Sequence, residues 1–172
     1  MAANGFIELL RLAKRGTKNT STSRETERWS GVAFEMLGQY FVAPLGEVSE
    51  VIYCPAFTHV PNSKPWLKGL ANVRGRLLTI TNLPEYLSGK SKKGTQKVLC
   101  VSYQDHYLGL AVDQVLGIQH FNKKSFFSQN ENLENSVQKY CQGYFSQHQR
   151  HWNVFLFSKM LNDTEYMNAA VK

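Results

Sequence analysis

The sequence predicts a mainly β protein built from two similar halves. Three observations carry this reading. Short apolar runs are punctuated by turn residues, stretches with helical spacing are few, and the order of segments recurs at fixed offsets. Tyr40-Phe41-Val42 and Tyr107-Leu108-Gly109 lie 67 residues apart, as do Val48 and Val115. Further along, Gly69 and Gly143 lie 74 apart, as do Leu87 and Leu161. In each half a strand pair leads to a short valine-bearing segment and a long connection. A glycine before a strand follows, then a last strand running into a leucine-terminated turn. Two small β-barrels sharing one interface satisfy this pattern, each too small to be stable alone.

The elements follow in order. Residues 5–15 place Phe6, Ile7, Leu9, Leu10 and Leu12 at the spacing of a short amphipathic helix, and 16–28 form a polar, Ser/Thr-rich linker. The compact domain is therefore expected from Trp29 to Lys172. Residues 31–37 and 39–45 pair about Gly38, and 48–52 make a short apolar strand with alternating acidic residues. Residues 70–73 and 77–80 flank Arg74-Gly75, where glycine takes positive φ at little steric cost. Residues 97–103 and 107–112 pair around Gln104-Asp105-His106, and 142–146 pairs with 153–157. Helices are expected at 83–88 and 158–171, a loop at 88–96 separates the halves, and 123–138 reads as polar and irregular.

Composition excludes several classes of function. No apolar run approaches the ~18 residues that span a bilayer, and the first residues lack a secretory layout. Cys54, Cys100 and Cys141 are odd in number, widely spaced and without a CxxC, which reads as reduced thiols in the cytoplasm. The net charge of +7 resolves into +3 over residues 1–28 and +4 over 88–97, where Lys90, Lys92, Lys93 and Lys97 stand without an acid. The rest of the chain is neutral. A barrel that binds single-stranded nucleic acid is the rival reading, and it needs basic and aromatic residues interleaved on the fold itself. The charge map does not favour it. His148 and His151 are three apart in a polar turn without a further ligand, so no metal site is expected. Glu47 and Glu50 have no partner for acid–base work, and no nucleophile elbow, phosphate loop or dinucleotide fingerprint occurs. The expectation is a non-enzymatic, cytoplasmic protein without cofactor, metal, nucleic acid or membrane insertion, which works by holding other proteins.

Two features stand out. Gly69-Leu70-Ala71-Asn72-Val73-Arg74-Gly75-Arg76, preceded by Val60-Pro61 and Pro65-Trp66, reads as a rim held in fixed geometry. There Arg74 can present its planar guanidinium to an acidic or amide-rich partner, or close the turn on backbone carbonyls. Glu47-Val48-Ser49-Glu50-Val51 reads as an edge strand able to dock a partner, or as an ordinary half-buried one.

In this order the segments resemble the CheW-like family of chemotaxis coupling proteins. The resemblance rests on Phe41-Val42-Ala43 with Glu47 to Val51, on Val60-Pro61 and Trp66 through Leu78, and on Tyr107-Leu108-Gly109-Leu110-Ala111-Val112-Asp113-Gln114-Val115, spanning roughly residues 30–162. Trp29-Ser30-Gly31, Tyr40 through Pro44, Val73 through Leu78 and Gln119-His120-Phe121 are similar to the branch that serves type IV pilus twitching motility. A flagellar chemotaxis adaptor is the alternative. The resemblance implies two five-stranded β-barrel subdomains side by side. It also implies an adaptor between the cytoplasmic hairpin tip of a methyl-accepting receptor and the regulatory domain of a histidine kinase. It places Val48, Glu50, Gly69, Asn72, Arg74 and Gly75 in or beneath the receptor groove. Two segments depart from the family pattern: in Thr79-Ile80-Thr81-Asn82-Leu83 a threonine replaces a proline and Asn82 an aspartate, and in Leu156-Phe157-Ser158 Ser158 stands where the last strand would carry an aspartate.

Overall fold

The computed structural model describes residues 27–92, 94, 97–129 and 132–169; the expected N-terminal helix and nearly all of the linker lie outside them. The strands are β1 (Arg28–Met36), β2 (Gln39–Pro44), β3 (Glu50–Tyr53), β4 (Leu67–Val73), β5 (Arg76–Asn82), β6 (Lys97–Tyr103), β7 (His106–Val112), β8 (Gln114–Asn122), β9 (Phe126–Phe127), β10 (Cys141–Gln147) and β11 (Arg150–Phe155). Four short helices accompany them: α1 (Leu83–Ser88), α2 (Asn135–Gln138), α3 (Phe157–Leu161) and α4 (Thr164–Met167). None of the described helices is long and apolar enough to cross a membrane.

Two sheets result, a six-stranded one in the order β8-β1-β2-β11-β10-β9 and a five-stranded one in the order β3-β6-β7-β5-β4. The two halves exchange hairpins. The β1–β2 hairpin of the first half sits between β8 and β11 of the second, and β6–β7 of the second sits between β3 and β5 of the first. The parallel pairings confirm the equivalence: Asn153 pairs with Phe41 in one sheet and Thr79 with Leu108 in the other, positions related by the same 74 and 67 offsets. The two-residue β9 makes the larger sheet six-stranded, and its counterpart in the smaller sheet is a single bridge between Thr58 and Leu70.

Period-two patterning builds three cores. Trp29, Ala33, Val42, Phe121, Phe145, Trp152 and Val154 fill a core made by the six-stranded sheet, which therefore curls around it. Ala71, Leu78, Ile80, Val98, Cys100, Tyr107 and Ala111 do the same within the five-stranded sheet. Between the sheets lies the largest core, with Phe34, Met36, Phe41, Leu99, Leu108, Leu110, Phe155 and Phe157. The central strands are buried on both faces, which is why β7 reads as a nearly continuous apolar run.

Three expectations are corrected. The strand expected at 48–52 begins only at Glu50, and a 3-10 turn occupies Leu45–Glu47. Ser49 ends that turn by donating both its backbone N–H (2.8 Å) and its hydroxyl (2.9 Å) to the Cys100 carbonyl. The single helix expected at 158–171 is two, because Asp163 accepts from the Glu165 N–H at 2.9 Å and so starts a new helix. Finally, β8 is a nine-residue strand where none was expected. Its alternation is broken by a bulge opposite Ala33 and Phe34.

Candidate functional site

The β4–β5 hairpin turns through Arg74-Gly75, with φ of 52° and 78°. Two left-handed residues between Val73 and its partner Arg76 are what a tight, sheet-compatible turn requires. The Asn72 side-chain oxygen accepts from the Gly75 N–H at 2.9 Å and pins the loop. The Arg74 guanidinium thereby reaches across the curled sheet to the opposite edge strand, where its Nη1 lies 2.8 Å from a Glu50 carboxylate oxygen. The other Glu50 oxygen accepts from the Tyr107 hydroxyl. Arg76 stacks over the Tyr107 ring at 4.1 Å.

Electrostatics follow from these contacts. The Tyr107 hydrogen bond is the largest influence on the Glu50 carboxyl; desolvation comes next and opposes it, and Arg74 then adds to the hydrogen bond, leaving the carboxyl below its usual value. Partial burial, then the bond to Glu50, raises the Tyr107 hydroxyl, so it stays a donor. Burial likewise pushes the Cys100 thiol beneath the pair upward, which keeps it protonated and unreactive. Arg74 is 75% exposed and Glu50 27%, so the ion pair is formed while most of the guanidinium faces outward. This is an exposed charged surface with pre-set geometry. Among the described residues no group of three or more His, Cys, Asp or Glu is placed to hold a metal ion.

Of the six candidate residues, Glu50, Asn72, Arg74 and Gly75 meet at this end of the five-stranded sheet. Val48 lies just upstream of β3 and packs, partly buried, on the core between the sheets. Gly69 is buried lower in β4, where an added Cβ would stand 2.2 Å from the Thr58 carbonyl oxygen. Tyr107 and Arg76 belong to the cluster and were not singled out from sequence. Their only signal was membership of the same motif segments.

A second carboxylate, Glu47, performs a structural task. Its oxygens accept from the Phe157 N–H (2.7 Å) and from the Ser158 hydroxyl (2.7 Å), capping α3. Burial raises its carboxyl, partly offset by those bonds. An aspartate at 158 would set two carboxylates together, so Ser158 is matched to Glu47. Asn82 caps α1 by accepting from Glu85 N–H at 3.1 Å, and its amide donates to the Ser91 hydroxyl at 2.9 Å; an aspartate could only accept from that hydroxyl.

The body is thus two curled sheets, with an outward ion-pair network at one hairpin end. Residues 30–165 match the profile of the CheW-like domain, and the chain belongs to that family. It is 40% identical over 147 residues to Protein PilI of Pseudomonas aeruginosa, covering 84% of this chain and 82% of that one. It is 30% identical over 88 residues to Chemotaxis protein CheW of Thermotoga maritima, covering 51% and 58%. Among solved structures, the scaffolding protein TtCheW from Thermoanaerobacter tengcongensis superposes with a TM-score of 0.64 at 18% identity, over 74% of this chain and 88% of that one.

Proposed function

We propose that the protein is a non-enzymatic adaptor of a type IV pilus chemotaxis-like system. It holds the cytoplasmic hairpin tip of a methyl-accepting receptor and the regulatory domain of a histidine kinase, in the cytoplasm at receptor arrays, and so governs twitching motility. Membership of the CheW-like family supports the adaptor role, and the 40% identity to PilI favours the pilus system. The observation that carries the receptor surface is the Glu50–Arg74–Tyr107 network, an exposed guanidinium already oriented by a carboxylate. Receptor helices pack apolar side chains near Val48, while Arg74 sets their register through charge-assisted hydrogen bonds. Signal passes as a difference in affinity between two signalling states, which requires two surfaces on one rigid body. The second reading, an adaptor of flagellar chemotaxis, draws on the shorter match to CheW of Thermotoga maritima.

Calorimetric titration with the regulatory domain of the pilus-associated histidine kinase tests the proposal. Saturable binding is expected. Folded protein that ignores this domain but binds the flagellar kinase's domain would replace the first reading with the second.

A further inference from the structure

The internal repeat extends to the hairpin ends, and there the two sheets differ. An offset of 74 carries Arg74-Gly75 onto His148-Gln149, whose φ of 50° and 59° make the same kind of turn. The same offset carries Arg76 onto Arg150, and the offset of 67 carries Tyr107 onto Tyr40. The stacked pair is preserved: the Arg150 guanidinium stands 4.7 Å from the Tyr40 ring centre. Sheet register confirms the match. The row Glu50–Cys100–Gly109 crosses β3, β6 and β7, and its counterpart Gly117–Ala33–Val42 crosses β8, β1 and β2.

The place of Glu50 is thus held by a glycine. Gly117 sits at the β8 bulge with φ of 86°, and nothing lies within 4 Å of where its Cβ would be. A glutamate is strained in that conformation, so no carboxylate stands at this place; Glu35, opposite Tyr40 in register on β1, makes no ion pair with Arg150. Among the described residues no carboxylate pairs with exposed Arg150, and the Tyr40 hydroxyl has no hydrogen-bond partner.

We infer that the Arg150–Tyr40 end of the six-stranded sheet is a docking site for a carboxylate carried on an acidic segment of a partner protein, received where Gly117 leaves the place of Glu50 open. In the five-stranded sheet a glutamate lies between Arg74 on the turn and the Tyr107 hydroxyl, with Arg76 stacked on the Tyr107 ring; in the six-stranded sheet His148 takes the place of Arg74, and Arg150, stacked on Tyr40, takes that of Arg76. In the second site Arg150 supplies the planar, permanently charged fork and Tyr40 the hydroxyl. The inference does not depend on the receptor and kinase assignment, since it concerns the other hairpin end.

Titration of the isotopically labelled full chain with a blocked peptide containing two adjacent glutamates, followed by nuclear magnetic resonance, tests it. Signals of Arg150 Nε, Tyr40 and Gly117 are expected to move saturably. Arg150→Gln should weaken that response about fivefold or more, as loss of a charge-assisted contact does. Lys124→Gln, which removes an exposed cation in the 3-10 turn between β8 and β9, where it pairs with Glu27, should leave it unchanged. Equal weakening by both substitutions would reduce the effect to general charge attraction and overturn the site. The same signals moving as readily with inorganic phosphate would overturn its assignment to carboxylate.

Discussion

At the scale of single residues, two glutamates three positions apart are set to opposite tasks by their surroundings. Glu50 accepts from Tyr107 and Arg74, so its carboxyl is lowered; Glu47 is withdrawn from water beneath α3, so its carboxyl is raised. The signs lead to different pH behaviour. A lowered carboxyl contributes fully above its ordinary value, and that contribution is lost as pH falls through the folded value. Tyr107→Phe removes the larger cause, and Glu50 should then titrate closer to the ordinary carboxylate range in a side-chain carbon resonance titration; an unmoved midpoint would show that Tyr107 is not what holds it. A raised carboxyl behaves in the reverse sense, contributing most when protonated and less as pH rises through its folded value. Glu47→Ala leaves the Phe157 N–H without its acceptor and should cost about 1–3 kcal/mol in denaturant unfolding. Glu47→Gln keeps an acceptor and should cost less while flattening the pH dependence above the ordinary carboxylate value. Arg74→Glu puts like charges together on an exposed turn. It is expected to abolish receptor pull-down with a thermal midpoint close to wild type.

At the scale of elements, the repeated glycines are the clearest test. Gly69 and Gly143 have φ of 154° and 125°, and in each an added Cβ would stand 2.2 Å from a carbonyl oxygen, of Thr58 and Phe127 respectively. Both lie where β4 and β10 shift register and a neighbouring segment crosses closely. Alanine at either position must move backbone, and each variant should lose roughly 2–4 kcal/mol, comparable to a severe core change. Equal losses would tie the two bulges to one architectural cause. These glycines were readable because a repeat offset marks them, as were the hairpins, whose turn residues and alternation agree. The strand β8 was not readable: its bulge interrupts the period, and exposed Gln114, Gly117, Ile118 and His120 hide the single buried Phe121. The Arg74 turn of the site was legible as a local motif. Its ion pair with Glu50 was not, because sheet curl and not sequence distance brings opposite edges together.

At the scale of the whole molecule, the exchange of hairpins determines how the protein can come apart. Each sheet takes its central strand pair from the other half of the chain, so each half alone exposes both a vacated slot and an unpaired hairpin. The β2–β11 and β5–β7 pairings are parallel, and both join strands from different halves. The core between the sheets draws Phe34, Phe41 and Leu83 from the first half and Leu99, Leu110, Phe155 and Phe157 from the second. Neither half therefore retains a closed apolar core, and a chain of that size has little surface to bury in compensation. Residues 27–92 and 97–169, expressed separately, should lack a cooperative thermal transition. Among the described residues between α1 and β6 none takes part in sheet pairing, so a protease site inserted after Gly94 should be cleavable without dissociation. The nicked protein should elute as one species, melt cooperatively and depend on concentration in its midpoint, since the cut turns an intramolecular association into a bimolecular one. A separate fragment that folds alone would show that the exchanged hairpins are not what unites the two sheets.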